Sequence, residues 1–197
     1  MDHDEVSSRV KLVDLLILSD NHYTLHKATF DYRRNDGAWQ TMSRESYGIG
    51  RSVAVLPYDA ACNRVLLLRQ FRWPAFQTGH RALLIEAPAG LLDGDTPEEG
   101  ARREALEEAG VTLSALEPVS ECYLSPGAVT ERMSLYLGAY DSTVPRAGGG
   151  GQFHEGEDIE SFEVSLEQAM EMVRTGRVID AKTIVLIQAA RLKAAGL

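Results

Sequence analysis

Ala89-Gly90-Leu91-Leu92-Asp93-Gly94-Asp95-Thr96-Pro97-Glu98-Glu99-Gly100-Ala101-Arg102-Arg103-Glu104-Ala105-Leu106-Glu107-Glu108-Ala109-Gly110-Val111 reads as a loop feeding a short helix. Thr96 can cap the helix, Pro97 suits its first position, and Glu99 completes a Thr-x-x-Glu capping box. Gly110 supplies a left-handed stop. At about 100° per residue, Ala101, Ala105 and Ala109 form a narrow stripe of small side chains suited to close packing. Glu104, Glu107 and Glu108 stand beside that stripe.

Glu104 and Glu108 share a helix face, where like charges repel by about 0.2–0.5 kcal/mol. A divalent cation turns that repulsion into attraction, and carboxylate oxygens suit Mg²⁺ or Mn²⁺. A solvated acidic face, helped by an Arg103–Glu107 pair, is the plainer reading of the glutamates alone. The glycine-rich loop shifts the balance. Gly90 and Gly94 let backbone approach a ligand, and a helix N-terminus favours anions.

These residues resemble the box of the Nudix hydrolases, which runs from a loop Gly and Glu to Arg-Glu-apolar-x-Glu-Glu-x-Gly-apolar on a helix. Arg103 through Val111 match the whole second half. The loop is one residue shorter than the general box, and Thr96 stands where the loop Glu would fall. The resemblance implies an α/β/α sandwich with a mixed sheet and an active site built on Glu104 and Glu108.

The chain has 197 residues, 44% hydrophobic and 25% charged, as in a soluble globular protein. This length suits one domain with a small N-terminal extension. A net charge of −9 argues against a basic nucleic-acid-binding surface, though it does not exclude a phosphate substrate held by a metal and a few cations. Cys62 and Cys122 lack metal-site spacing and read as free, buried thiols of a reducing compartment. Leu12–Leu18 is too short for a membrane span and carries Asp14, and no signal peptide is seen. A cytoplasmic protein is expected, with no nucleic-acid or membrane partner.

Val10–Leu18, Tyr23–Arg33 and Trp39–Tyr47 read as strands, with the hairpin signal Asn35-Asp36-Gly37 between the last two. We expect residues 1–47 to form an antiparallel β unit, too small to bury both faces alone, and 48–197 to form the main domain. Strands are expected at Ser52–Pro57, Arg64–Phe71, Ala82–Ala87, Leu116–Tyr123, Met133–Tyr140 and Ile159–Val164. Residues 74–80 read as a loop, and Gly148-Gly149-Gly150-Gly151 as a mobile connection. Ser165 with Gln168 caps one helix and Asp180 opens the last. The fold class is therefore α/β, with three helices.

Arg69-Gln70-Phe71-Arg72 ends a strand and offers a guanidinium clamp for phosphate. Ser125-Pro126-Gly127 through Glu131 resembles a signature of the ADP-ribose pyrophosphatase branch of the Nudix enzymes. His154 to Asp158 is a solvated acidic loop or a flexible lid carrying Glu155 and Glu157. Lys182 falls in the first turn of a helix, where the dipole disfavours a cation unless an anion meets it.

Over nearly its full length the chain resembles the bacterial GDP-mannose pyrophosphatase group of that branch. Ile17–Asn21, Tyr23–His26, Arg69–Arg72, Ala89–Asp93 and Val173–Thr183 carry the likeness. It implies metal binding by the Ala89 carbonyl, Glu104, Glu108 and Glu157. It also implies nucleotide-sugar contacts from Arg72, Gly90, Leu91, Glu131, Gly156 and Lys182. His22, Ser43, Arg44 and Glu45 would reach the site of a neighbouring subunit in a homodimer. Glu108, Glu131, Glu155 or Glu157 would orient or deprotonate the attacking water. The expected reaction is Mg²⁺-dependent cleavage, with Mn²⁺ as a substitute, of a nucleoside diphosphate sugar. ADP-ribose hydrolysis and a non-catalytic nucleotide-sugar sensor are the alternatives.

Overall fold

Continuous apolar runs in the middle of the chain build a sheet whose central strands are buried on both faces. The computed structural model describes residues 6–152, 154 and 156–197. Two units emerge: residues up to Gly50 together with Tyr123–Glu131, and Arg51–Cys122 together with Arg132–Leu197.

In the first unit a short 3₁₀ turn, Ser7–Arg9, leads into three antiparallel strands: β1 (Val10–Asp20), β2 (Thr24–Arg33) and β3 (Trp39–Gly48). They lie in that order, with register shifts in β1 near Val13 and Leu18. Tyr47 exchanges backbone hydrogen bonds with Ala128 and Thr130. No residue of these strands is fully buried, and apolar side chains of β1 such as Leu12 and Ile17 are more than 60% exposed.

The second unit holds β4 (Arg51–Asp59), β5 (Arg64–Gln70), α1 (Trp73–Gln77), β6 (Leu84–Glu86), β7 (Ala89–Leu91), α2 (Pro97–Ala109) and β8 (Ala115–Tyr123). Then come β9 (Arg132–Ala139), β10 (Glu160–Ser165), α3 (Leu166–Arg174) and α4 (Ala181–Ala194). The sheet runs β10-β5-β4-β9-β8, with β6 on β5 and β7 on β4. It is mixed: β4 pairs with β9 in parallel and with β5 and β7 antiparallel.

Successive strand residues point to opposite faces. Val53, Val55, Leu66 and Leu68 therefore pack together against the α2 stripe of Ala101, Ala105 and Ala109. Ala54, Leu56, Val65 and Leu67 face the other way, and α3 and α4 contact the sheet there. A helix on each side of a mixed sheet is the expected three-layer arrangement.

Three expectations are corrected. Residues 74–80 are not all loop, since Pro74 sits in the first turn of α1 and fixes a helical φ. Cys62 is exposed and Cys122 half-buried, because Cys62 lies in the surface turn whose backbone Asp59 holds. The glycine run is packed. Ala147, Gly150 and Gly151 donate to the carbonyls of Gly110, Glu108 and Glu107 at 2.8, 3.0 and 3.1 Å. Carbonyls at a helix end have no intrahelical partner, and these glycines supply it. A Cβ on Gly149 would lie 2.7 Å from Glu108 O, so the close approach needs glycine.

Candidate active site

The site grows from the end of β6 through β7 to α2. Thr96 Oγ1 accepts from Glu99 N–H while the Glu99 carboxylate accepts from Thr96 N–H, the capping box the sequence promised. Gly110 ends the helix with φ of 70°. Both ends being fixed, the alanine stripe seats on the sheet and carries Glu104 and Glu108 into buried positions, 7% and 1% exposed.

β7 lies against both carboxylates. Ala89 N–H donates to Glu108 Oε2 at 2.8 Å. Glu108 Oε1 is buried and has no hydrogen-bond partner among the described residues. A Cβ on Gly90 would overlap the Glu104 carboxylate, so only glycine leaves room there. Arg103 bridges the parts: it donates to Asp95 at 2.9 Å, to Glu104 at 2.6 Å and to the Leu91 carbonyl at 2.8 Å. Its contact with Glu107 is longer, at 3.5 Å.

Burial pushes the Glu104 carboxyl up to about 7 against the pull of Arg103, with the charges of Glu107 and Glu157 adding to the rise. Burial also raises Glu108, to about 8; the Ala89 N–H opposes this, and Glu104 and Glu157 reinforce it. Two acids raised by burial and by neighbouring carboxylates, one with an orphaned oxygen, fit a divalent cation, which would restore their charge. Among the described residues no group of three His, Cys, Asp or Glu side chains converges closely enough to hold a metal. The donor set here is two carboxylates beside the backbone of β7.

Replacing Gly90 by alanine should cost roughly two orders of magnitude in turnover, because a methyl group forces Glu104 off its position. Thermal stability should change far less, since the displaced atoms end a flexible side chain. Parallel melting and turnover measurements check this; full activity of the variant would deny the close approach a role.

Glu157 is half-buried, and its Oε2 accepts from Gln152 N–H at 2.8 Å. Gly156 is exposed, with φ of 76°. Glu155 lies outside the described residues.

Arg72 and Lys182 meet on a residue that the sequence reading missed. Arg72 grips Glu86 bidentately at 2.8 and 3.2 Å, and Lys182 Nζ contacts the same carboxylate at 2.5 Å and Asp180 at 3.1 Å. Burial opposes each charge. Lys182 and Arg72 nonetheless hold the Glu86 carboxyl below its usual range, and Glu86 and Asp180 hold Lys182 above its own. Glu86 therefore answers the misplaced charge of Lys182. The signal available in the sequence was a lone Glu ending an apolar strand just before the box.

The remaining candidates belong to the first unit. His22 is exposed, its ring centre 4.3 Å from that of Tyr23. Ser43 Oγ pairs with Thr29 Oγ1 at 2.9 Å, Arg44 Nη1 donates to the Ser43 carbonyl at 2.8 Å, and Glu45 is exposed. Glu131 is half-buried at the end of the segment that accompanies these strands.

Residues 48–186 match the NUDIX domain, and residues 9–47 match the GDP-mannose pyrophosphatase NudK N-terminal domain. The chain is 40% identical over 189 residues to a GDP-mannose pyrophosphatase of Pectobacterium atrosepticum, covering 95% of this chain and 97% of the relative. It is 42% identical over 189 residues to one of Cronobacter sakazakii, covering 95% and 98%. The fold is similar to the crystal structure of an ADP compounds hydrolase, with a TM-score of 0.73, 16% identity and 95% of each chain covered. With its box on α2 and the NUDIX match spanning most of its length, the chain belongs to the Nudix hydrolases.

Proposed function

We propose that this protein hydrolyses the diphosphate of GDP-mannose to GMP and mannose 1-phosphate. The observation that carries the reading is the buried Glu104–Glu108 pair, aimed at the backbone of β7, in a chain about 40% identical to GDP-mannose pyrophosphatases. Hydrolases of this family work with divalent cations, here Mg²⁺ with Mn²⁺ as a substitute. Ala89, Glu104, Glu108 and Glu157 would hold the metal. It supplies charge neutralisation of the diphosphate and a more acidic water.

The chain's own residues bind and orient. Arg72 presents a guanidinium to the diphosphate while Glu86 fixes its plane, and Lys182 adds charge from the base of the site. Gly90 and Leu91 bring backbone to the substrate, joined by Gly156 and Glu131. One of Glu108, Glu131, Glu155 or Glu157 takes the proton of the attacking water.

The N-terminal unit, 1–47, is proposed to cross to the partner of a homodimer, so that His22, Ser43, Arg44 and Glu45 touch the nucleotide sugar of the other subunit. The lack of any fully buried residue in its three strands and the exposed leucines and isoleucine of β1 support that reading. No helix among the described residues is long and apolar enough to cross a membrane, and we place the enzyme in the cytoplasm.

Incubation with Mg²⁺ and either GDP-mannose or ADP-ribose, followed by anion-exchange chromatography, tests the substrate. A large preference for GDP-mannose with GMP as product is expected. Preference for ADP-ribose would move the protein to the neighbouring substrate class, and tight binding without turnover would make it a sensor.

Mg²⁺ or Mn²⁺ should also raise the melting temperature. A cation at about a hundred times its Kd adds about 2.7 kcal/mol, or roughly 5–10 °C for a chain of this size. Chelation should reverse the shift. Equal melting curves with and without the cation would contradict the metal assignment.

A further inference from the structure

We propose that a cavity of about 760 Å³ on the α3 side of the large sheet is a binding site for a small aromatic anion. The sheet register builds its floor. Leu66 and Leu68 of β5 face α2, so Arg69 points to the opposite face. Arg69 stands opposite Ile85 of β6, while Phe162 and Val164 of β10 stand opposite Leu67 and Val65. Directly paired residues share a face, which places Arg69, Ile85, Phe162 and Val164 together. Met172 of α3 adds a buried apolar wall, and Arg177, just past the helix, lines the cavity too.

The charge balance selects an anion. Arg69 Nη2 donates to Glu160 at 2.6 Å, but its Nε is buried and has no acceptor among the described residues. Arg177 brings a second guanidinium, and His80 also lines the space. The acidic residue in the lining, Glu171, is already tied to Arg174 at 2.5 and 2.7 Å. An apolar floor beneath two arginines suits a carboxylate or phosphate on an apolar body.

The lining suits an aromatic body. The Arg69 guanidinium carbon lies over the Phe162 ring, 4.8 Å from its centre, so a ring and a cation that can each stack on an aromatic ligand border the cavity. Met172 sulfur offers the other favourable contact for an aromatic ligand. The volume is that of a small-molecule pocket. Glu104 and Glu108 sit on the α2 side of the sheet, so this is not the site of hydrolysis.

The test uses the full chain labelled with ¹³C at its methionine methyls, five resonances in all, titrated with 2-naphthoate. This probe carries no phosphate, so the result is independent of the hydrolase reading. A saturable shift of the Met172 resonance, assigned by Met172→Leu, is expected. Met42, on β3, reports binding elsewhere. Arg69→Gln and Arg177→Gln should each weaken the binding about tenfold, as for loss of a charge-assisted hydrogen bond. Turnover of nucleotide sugar should stay unchanged in both. Arg177 is exposed, so its replacement leaves the fold intact. The proposal is overturned if the Met172 signal does not shift saturably. It is equally overturned if the shift survives both replacements, or if neutral 2-naphthalenemethanol reproduces it.

Discussion

Glutamine at Glu104 or Glu108 should lower turnover by roughly three orders of magnitude or more, because on the proposed function each removes a negative donor to the cation that would neutralise the diphosphate. The fold should survive, since glutamine has the shape of a protonated carboxyl. The pH dependence separates this account from simple damage. Both carboxyls are raised in the folded protein, to about 7 and about 8 from an ordinary 4.5. Their contribution to stability is then fully present below about 4.5 and is lost as pH rises through the folded values. Metal-free wild type should lose stability across that interval.

Glu108→Gln stays in the protonated shape and should escape its share of the loss. In chelator, the variant should melt with wild type near pH 4.5 and above it near pH 8.5. Melting curves at the two pH values, with turnover measured in Mg²⁺, check the prediction. A variant that melts well below wild type at both values would show Glu108 to be a structural anchor through Ala89 N–H, and retained turnover would remove it from the metal site.

Glu86→Ala is the second large effect, and it acts on stability first. Glu86 is 2% exposed and is the shared partner of two cations, while the Lys182 side chain is itself only 8% exposed. Removing one partner of a buried pair leaves an uncompensated charge, at a cost of about 3–5 kcal/mol. For a chain of this size that is a fall of roughly 10 °C in Tm. Asp180, at 3.1 Å from Lys182, softens the loss without cancelling it, as do the charges of Glu108 and Glu157 for Arg72, whose bidentate hydrogen bonds go to Glu86.

The sign follows from the shifts. Glu86 is lowered in the fold, so its stabilisation is present above its ordinary value and fades in acid. Lys182 is raised, so its share is present below its ordinary value and fades in alkali. Glu86→Ala should therefore destabilise across the neutral range, with the gap to wild type narrowing below about pH 4. KM should rise as well, because the Arg72 guanidinium loses the carboxylate that orients it. Thermal melting from acid to neutral pH and steady-state kinetics of the variant check both effects. An unchanged Tm at pH 7 would mean that the Arg72–Glu86–Lys182 cluster contributes nothing net.

Local chemistry made the centre of this protein legible. The capping box of Thr96 and Glu99, the stop at Gly110 and the spacing of Ala101, Ala105 and Ala109 are relations within a few residues, governed by helical geometry. The same period put Glu104 and Glu108 on one face. The three N-terminal strands were readable because turn residues separate alternating or apolar runs. Burial of the thiols was misread: Cys62 falls in a surface turn held by the Asp59 carboxylate, which leaves its side chain exposed. The glycine run was misread too, because its partners are the orphan carbonyls of a helix far back in the chain.

The sequence by itself determined the family box, the helix that bears it and the identity of the two carboxylates. Only the tertiary structure decided their surroundings. Glu86 and Lys182 are separated by 96 residues, yet they share one ion pair because β6 and the start of α4 are packed together. Strand parity sends Arg69 into a cavity on one face, whereas Arg72, beyond the strand end, turns to Glu86. Burial, finally, is a property of the assembled layers. It is burial that raises Glu104 and Glu108 above the ordinary carboxylate range and sets them apart from a solvated acidic helix face.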